Sequence, residues 1–342
     1  TSLIAKILLE ANLDPTIING GVINSIKNNA KLGKGEWAVL EADESDGSFL
    51  KLPINYSVVT NLDKEHLDFY KNYENLENAF IKFINKTPPI GKTMLCLDSL
   101  NLRKIIGKIN SKNYLTYGFD KNANYQIINI NYKLGKTSFS LKVKSSGKKK
   151  LLIKNILLNL IGKHNVLNAT ASIAICLNLG ININIIKNAL KNFSGVQRRL
   201  TKIFIKNQRE FYDDYAHHPT EISSVLDGLK TVYKNRKIIT IFQPHRYSRI
   251  KNLKREFASS FSMSDVVVLC PIYAAGEKKD KSFKQISFAK SIAKLSKSQV
   301  ILIKDELELI KYLNKNLIKN EIVIGMGAGS ISKWMHNLKD RL

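Results

Sequence analysis

Residues 209–222 read REFYDDYAHHPTEI: an apolar run that ends in two aspartates, two adjacent histidines and a proline. Beyond it Ile222, Val225, Leu226 and Leu229 recur at the spacing of one helix face. The stretch therefore reads as a strand, FYDD, turning into a helix over 219–233. Pro219 suits a first helical position, Glu221 suits a first turn, and His218 flanks the cap. Adjacent histidines point about 100° apart on a helix and to opposite faces of a strand. His217 and His218 are thus poor joint ligands for one ion, whose usual helical pair is spaced i, i+4. That leaves Asp213, Asp214 and His217 in the strand-to-helix turn. The plain reading is a polar turn. The chemical reading is an imidazole beside carboxylates and a helix start, suited to act as a base or to contact phosphate.

The same unit recurs to the C-terminus. KIITIFQP precedes a helical pattern at 250–261, DVVVLCPIY one at 283–295, QVILIK one at 305–317 and EIVIGMG one at 329–338. The strands are continuous apolar runs, as expected where both sheet faces are covered. Strands alternating with helices in this way predict an α/β fold with a doubly wound parallel sheet, in which ligands bind outside the carboxyl ends of the strands. The polar residues gather at those ends: Asp213, Asp214 and His217; Gln243, His245, Arg246 and Arg249; Tyr273, Gly276 and Glu277; and the final GMGAGS. Arg246 and Arg249, three apart, fall on one side of a helical turn and suit a carboxylate or phosphate, or simply a solvated loop.

The first half is also α/β, with additions. A helix over 2–11 has no strand before it. EWAVLEAD and YSVVTNL read as buried strands, followed by a helix at about 73–86, TMLCL, another helix and YLTYG. Residues 125–154 alternate apolar and polar, the pattern of a small antiparallel meander. GKHNVLNATASIAICLNLG and INIIKNALKNF read as helices. The helical pattern stops at FSG, which sets two domains, 1–194 and 195–342. VLEADESDGSF crowds Glu41, Asp43, Glu44 and Asp46 after one strand, and TNLDKEHLD adds Asp63, Glu65, His66 and Asp68 after another. Self-repulsion makes such clusters costly unless a cation shares them, and carboxylate with imidazole suits Mg²⁺ or Mn²⁺; solvated acidic turns are the plain alternative. In GKHNVLNA, His164, Asn165 and Asn168 bracket a helix start, and an asparagine amide can match adenine N6 and N7. GKT at 91–93 lacks the earlier glycine and precedes an apolar run, so it is no P-loop. GMGAGS is only a fragment of a dinucleotide fingerprint.

Composition narrows the classes. The 342 residues include 54 Lys+Arg against 28 Asp+Glu, a formal charge of +26. The lysines are scattered, and the one dense run, KVKSSGKKKLLIK at 142–154, reads as a hairpin with a solvated tip. This weighs against a nucleic-acid-binding module and favours polyanionic small molecules such as nucleotides. Cys96, Cys176 and Cys270 lie far apart in apolar surroundings and read as reduced core cysteines of a cytoplasmic protein. No stretch is long and apolar enough to span a membrane. Oligomeric state is not legible.

EADESDGSF, TNLDKEHLD, GKHNVLNA, GVQRRL, DDYAHHPTE and QPHRYSR follow one another along the chain. Together, and from Thr1 nearly to the C-terminus, they resemble the Mur ligase family. QPHRYSR is similar to the family's alanine-adding branch more than to the branch that recycles a murein tripeptide. The resemblance implies a central ATP-binding domain and a C-terminal Rossmann-like domain. It also implies that this chain lacks the family's N-terminal UDP-binding domain and most of its GKT phosphate loop, and the expectation is a chain inactive alone. The implied reaction is ATP-driven amide formation. The lactyl carboxylate of UDP-N-acetylmuramate attacks the γ-phosphate, and the amine of L-alanine then attacks the acyl phosphate. The implied roles are Glu41 and His66 as metal ligands, with Glu44 as a second carboxylate; His164, Asn165 and Asn168 at adenine; Arg199 and Asp214 at the nucleotide; and His217, Arg246 and Arg249 at the acyl phosphate and incoming amino acid. The rival expectation from another class is an NAD-dependent oxidoreductase resting on GMGAGS.

Overall fold

The computed structural model describes residues 1–133, 135–144 and 150–342, in two units, Thr1–Gly195 and Val196–Leu342. The first unit runs α1 (Ser2–Glu10), β1 (Thr16–Ile23), β2 (Asn28–Lys31), β3 (Ala38–Leu40), β4 (Ser57–Val59), α2 (Leu67–Tyr70), α3 (Tyr73–Asn85), β5 (Thr93–Cys96), α4 (Leu100–Ile105), β6 (Tyr114–Gly118), β7 (Tyr125–Lys133), β8 (Lys136–Lys144), β9 (Lys150–Leu158), α5 (Lys163–Asn178) and α6 (Ile183–Lys191). Among the described residues its main sheet has the order β4-β5-β6-β7-β8-β9. Pairing is parallel from β4 to β7 and antiparallel through β8 and β9, so the meander is an extension of the parallel sheet. The tip expected within 142–154 falls at 145–149, outside the described residues. α5 is buried over most of its length, at Val166 and from Ala169 through Cys176. It packs on β5 and β6.

The strand expected over 36–43 shortens to β3, of which only Val39 is buried. It belongs to a second small sheet, β2-β1-β3. β1, TIINGGVI, escapes a pattern reading because Gly20 and Gly21 interrupt its apolar alternation. Gly20 has a purpose here: a Cβ on it would sit 2.8 Å from Glu41 Oε1.

The second unit contains β10 (Thr201–Lys206), β11 (Arg209–Asp214), α7 (Pro219–Val232), β12 (Ile238–Phe242), α8 (Tyr247–Asn252), α9 (Lys254–Ser259), β13 (Val266–Leu269), α10 (Gln285–Ser296), β14 (Gln299–Leu302), α11 (Glu306–Asn316), β15 (Ile322–Met326) and α12 (Ile331–Arg341). The sheet order is β10-β11-β15-β12-β13-β14, parallel except for β10. Residues 238–242 are buried on both faces. Ile239 and Ile241 join Val266, Val268, Val323 and the α11 and α12 residues Leu309, Leu313, Met335 and Leu338 in one core. Phe242 faces the other way, with ring centroids 5.9 Å from Phe257 and 5.1 Å from Phe261. Two-sided burial is why these strands read as unbroken apolar runs.

The structure adds β10, joined to β11 by a tight turn with Asn207 at φ 52° and Gln208 at φ 62°, the twist that two-residue hairpins favour. The helix expected over 250–261 is divided into α8 and α9, and it starts earlier, directly after Arg246. At the amino-terminal end of the sheet, Glu210 is gripped by Lys202 Nζ at 2.5 Å, by Arg236 and by the Tyr212 hydroxyl at 2.8 Å. Burial alone would push this carboxyl up; the hydrogen bonds from Lys202, Arg236 and Tyr212 outweigh it and hold the group at about 2.

Candidate active site

Four strand ends of the second unit converge on one rim. After β11 the chain turns through Tyr215–His218 into α7. His217 Nδ1 lies 2.9 Å from the Tyr215 carbonyl; a carbonyl only accepts, so Nδ1 carries the proton in the neutral ring and the lone pair is on Nε2. Glu221 accepts from the His217 and His218 amides at 2.9 and 3.2 Å and lies 3.5 Å from Arg199 Nη1. Burial would raise Glu221; the His217 and Arg199 charges and these amides hold it below its usual range. Arg198 and Arg199 both lie over the Tyr215 ring, at 4.8 and 5.6 Å.

After β12, His245 stacks on Tyr273 with centroids 5.7 Å apart and meets the His217 ring edge-on at 5.6 Å. Arg249 Nη1 is 3.1 Å from His245 Nδ1. A guanidinium only donates, so His245 accepts there and carries its proton on Nε2. Burial first, then the neighbouring His217, Arg249 and Arg246 charges, lower His245 to about 4. The rim thus pairs an imidazole acceptor with an imidazole donor beside two arginines. Arg246 is exposed, and its backbone has φ 66° and ψ 135°. This region is nearly restricted to glycine, and occupying it costs about 1–3 kcal/mol.

Asp214 is placed differently from a ligand-facing group. It is 2 % exposed, and its two oxygens accept the Leu200 and Ala216 amides, each at 2.7 Å. Burial pushes its carboxyl up to about 6. Its visible work is bracing Leu200 against the His217 turn. GMGAGS is also spoken for. Gln243 Oε1 accepts the Ile331 amide at 3.0 Å, and Gln243 Nε2 lies 3.0 Å from Ser330 Oγ. A Cβ on Gly329 would fall 2.5 Å from both Gln243 and Tyr273. These glycines admit protein side chains, and the cradle that a dinucleotide pyrophosphate needs is filled by Gln243 and Tyr273.

In the first unit, α2 draws the two acidic loops together: the Tyr70 hydroxyl donates to the Glu44 carbonyl at 2.6 Å. His66 Nε2 then lies 3.6 Å from Glu44 and 3.7 Å from Glu65. Glu44, Glu65 and His66, each half-buried, offer ligand atoms within 4.8 Å of one another. Two carboxylates and an imidazole at this spacing fit a hard divalent cation. Glu41 is not brought into this trio; its carboxylate accepts the Gly20 amide at 3.0 Å. Asp43 and Asp46 accept from Ser45 and Ser48 amides and build the turn.

His164, Asn165 and Asn168 lie in the first turns of α5, behind Gly162 at φ 98°. The His164 ring packs so close that a Cβ on Gly162 would meet it at 2.8 Å. One Asn165 amide hydrogen is committed to the Ile161 carbonyl at 2.8 Å, and Asn168 is exposed.

Residues 1–176 match the model of the Mur ligase middle domain, and residues 198–329 match that of the Mur ligase glutamate ligase domain. The chain belongs to the Mur ligase family. The UDP-N-acetylmuramate–L-alanine ligase of Pelagibacter ubique is 52 % identical over 340 residues, covering 99 % of this chain and 73 % of that protein. The same-named ligase of Bartonella tribocorum is 40 % identical over 343 residues, 100 % of this chain and 72 % of that protein. Among solved structures, UDP-N-acetylmuramate-alanine ligase MurC from Thermotoga maritima superposes with a TM-score of 0.79 at 28 % identity, covering 99 % of this chain and 71 % of that one. These relatives are Mur ligases, ATP-dependent amide ligases of peptidoglycan synthesis.

For a Mur ligase, two groups stand out that the motif reading left without a role. Glu65 precedes His66 in KEHLD, and only the left-handed turn at His66 (φ 55°) swings its carboxylate back toward Glu44. His245 lies inside QPHRYSR, but its partners Tyr273 and His217 are remote in sequence.

Proposed function

We propose that this Mur ligase joins L-alanine to UDP-N-acetylmuramate through an acyl phosphate at the expense of ATP, and that it works in the cytoplasm. The observation that carries the reading is the 52 % identity over 340 residues to a ligase of that name. The rim of His217, His245, Arg246 and Arg249 supports it chemically. Phosphoryl transfer of this kind demands positioning and charge neutralisation more than covalent help from the protein.

In this reading Glu44, Glu65 and His66 would hold Mg²⁺ or Mn²⁺, with Glu41 nearby in sequence as a further carboxylate. Such an ion neutralises phosphate charge when bound. His164, Asn165 and Asn168 would receive adenine. Arg199, steadied by Glu221 and braced through Asp214, would meet the nucleotide. Arg246 and Arg249 would neutralise the acyl phosphate and hold the amino-acid carboxylate. His217 Nε2 would accept a proton from the attacking amine.

The test is a product assay with the enzyme carrying this sequence. ADP and a UDP-N-acetylmuramoyl-alanine product are expected when ATP, Mg²⁺, UDP-N-acetylmuramate and L-alanine are all present. His66→Ala is expected to raise the half-saturating Mg²⁺ concentration by roughly tenfold or more, since ligand number and charge set affinity at such sites. A product formed only with a preassembled peptide would move the chain to another branch of the family. An unchanged Mg²⁺ midpoint would remove His66 from the metal.

A further inference from the structure

We propose that Glu277 is a positioning residue for the Arg246–Arg249 pair, clasping the start of α8 so that Arg246 keeps its left-handed backbone. Glu277 Oε2 accepts the Tyr247 amide at 2.6 Å and the Ser248 amide at 3.2 Å, and its other oxygen accepts the Ser248 hydroxyl. The clasp has a second strand of contacts. Arg246 N donates to the Tyr273 carbonyl at 2.9 Å, and Tyr273 N donates to the Pro244 carbonyl at 2.8 Å. Between them the His245 and Tyr273 rings stack. A turn through Ala275 (φ 49°) and Gly276 (φ 86°) folds Glu277 back onto α8, closed by Glu277 N on the Ala274 carbonyl at 3.0 Å.

An ordinary cap comes from the residue just before a helix. Here that residue is Arg246, whose side chain is needed elsewhere and whose backbone is strained. The capping acceptor is supplied from the loop after a different strand. α8 has six residues, too few to be stable as a helix by itself, so its place depends on what grips it. Burial would raise the Glu277 carboxyl, but the Ser248 and Tyr247 hydrogen bonds and the Arg246 charge hold it below its usual range. It is therefore ionised, and its hydrogen bonds are charge-assisted, at neutral pH.

The clasp stands on geometry; its consequence for turnover rests on the ligase reading, and the two are tested separately. Amide hydrogen exchange of Glu277→Ala should show Tyr247 and Ser248 exchanging about tenfold faster or more, the size of one lost hydrogen bond. Unchanged exchange would overturn the clasp whatever the reaction. In the ligation assay, Glu277→Ala should lower kcat and raise the amino-acid KM, by roughly 10- to 100-fold in kcat/KM, with the ATP KM unchanged. Glu277→Gln, which keeps a carbonyl acceptor for the two amides, should recover most of this. In an Arg246→Ala background, Glu277→Ala should lower kcat/KM by clearly less than in the unsubstituted enzyme, the remainder acting through Arg249. Fully multiplicative losses there, or a drop in kcat with both KM values unchanged, would overturn the positioning role. An unsubstituted enzyme that forms no amide would remove the ligase reading and leave exchange to decide the clasp.

Discussion

His245 shows how strongly a residue's chemistry depends on neighbours remote in sequence. Its ring lies between Tyr273 and His217 and accepts from Arg249. Since it is held at about 4, below the ordinary 6.5, it stays neutral throughout the range in which free histidine titrates. Between those two values the unfolded chain takes up a proton that the folded one does not, so this group favours unfolding as pH falls from 6.5 toward 4. Following the His245 ring carbon protons by NMR should give a midpoint near 4, and Arg249→Ala should move it upward by removing a nearby positive charge. A midpoint at 6.5 in the unsubstituted protein would contradict the burial and neighbouring positive charges that keep this ring neutral. Proximity of His217 to Pro219 and Glu221 was plain from their adjacency. The demand on Glu277 was not, because Tyr247 and Ser248 are about thirty residues away and meet it only through the fold.

Elements follow the same division. The parallel strands were legible because burial on two faces selects apolar residues at successive positions, as in VVVL at 266–269. α7 was legible because Pro219 opens it and Ile222, Val225, Leu226 and Leu229 line its inner face, and all are buried in the structure. β1 and β10 were not: glycines break the pattern of one, and the other is an edge strand whose inward residues are mostly half-covered. β11 carries a stability device at its start. With Glu210 held at about 2 against an ordinary 4.5, the folded carboxylate binds its proton later than the unfolded one. Its stabilisation is complete above 4.5 and is lost as pH falls from there toward 2. Glu210→Gln should destabilise the protein by about 1.5–3 kcal/mol at pH 7, the scale of hydrogen bonds to a charged group, and the deficit should shrink steadily below pH 4.5. Urea unfolding at pH 7 and pH 3 measures both; a deficit of equal size at the two pH values would show that packing, and not charge, explains it.

On the scale of the whole molecule, the +26 charge would attract the nucleotide and sugar nucleotide of the proposed reaction. The lysines that produce it were readable as scattered, and no basic stripe is needed to account for them. Family membership rested on six short motifs in order, five at a strand end or helix start and the sixth, GVQRRL, in the segment before β10. Two acids in those motifs are engaged by backbone amides, Asp214 in the interior and Glu41 at the surface on Gly20; type and spacing alone carry no information on which way a carboxylate points. The most direct test of the central claim is isotope transfer. With ¹⁸O in the lactyl carboxylate of UDP-N-acetylmuramate, the account predicts one ¹⁸O in the phosphate released as L-alanine is joined, since the acyl phosphate expels that oxygen. Phosphate free of ¹⁸O while amide accumulates would contradict it.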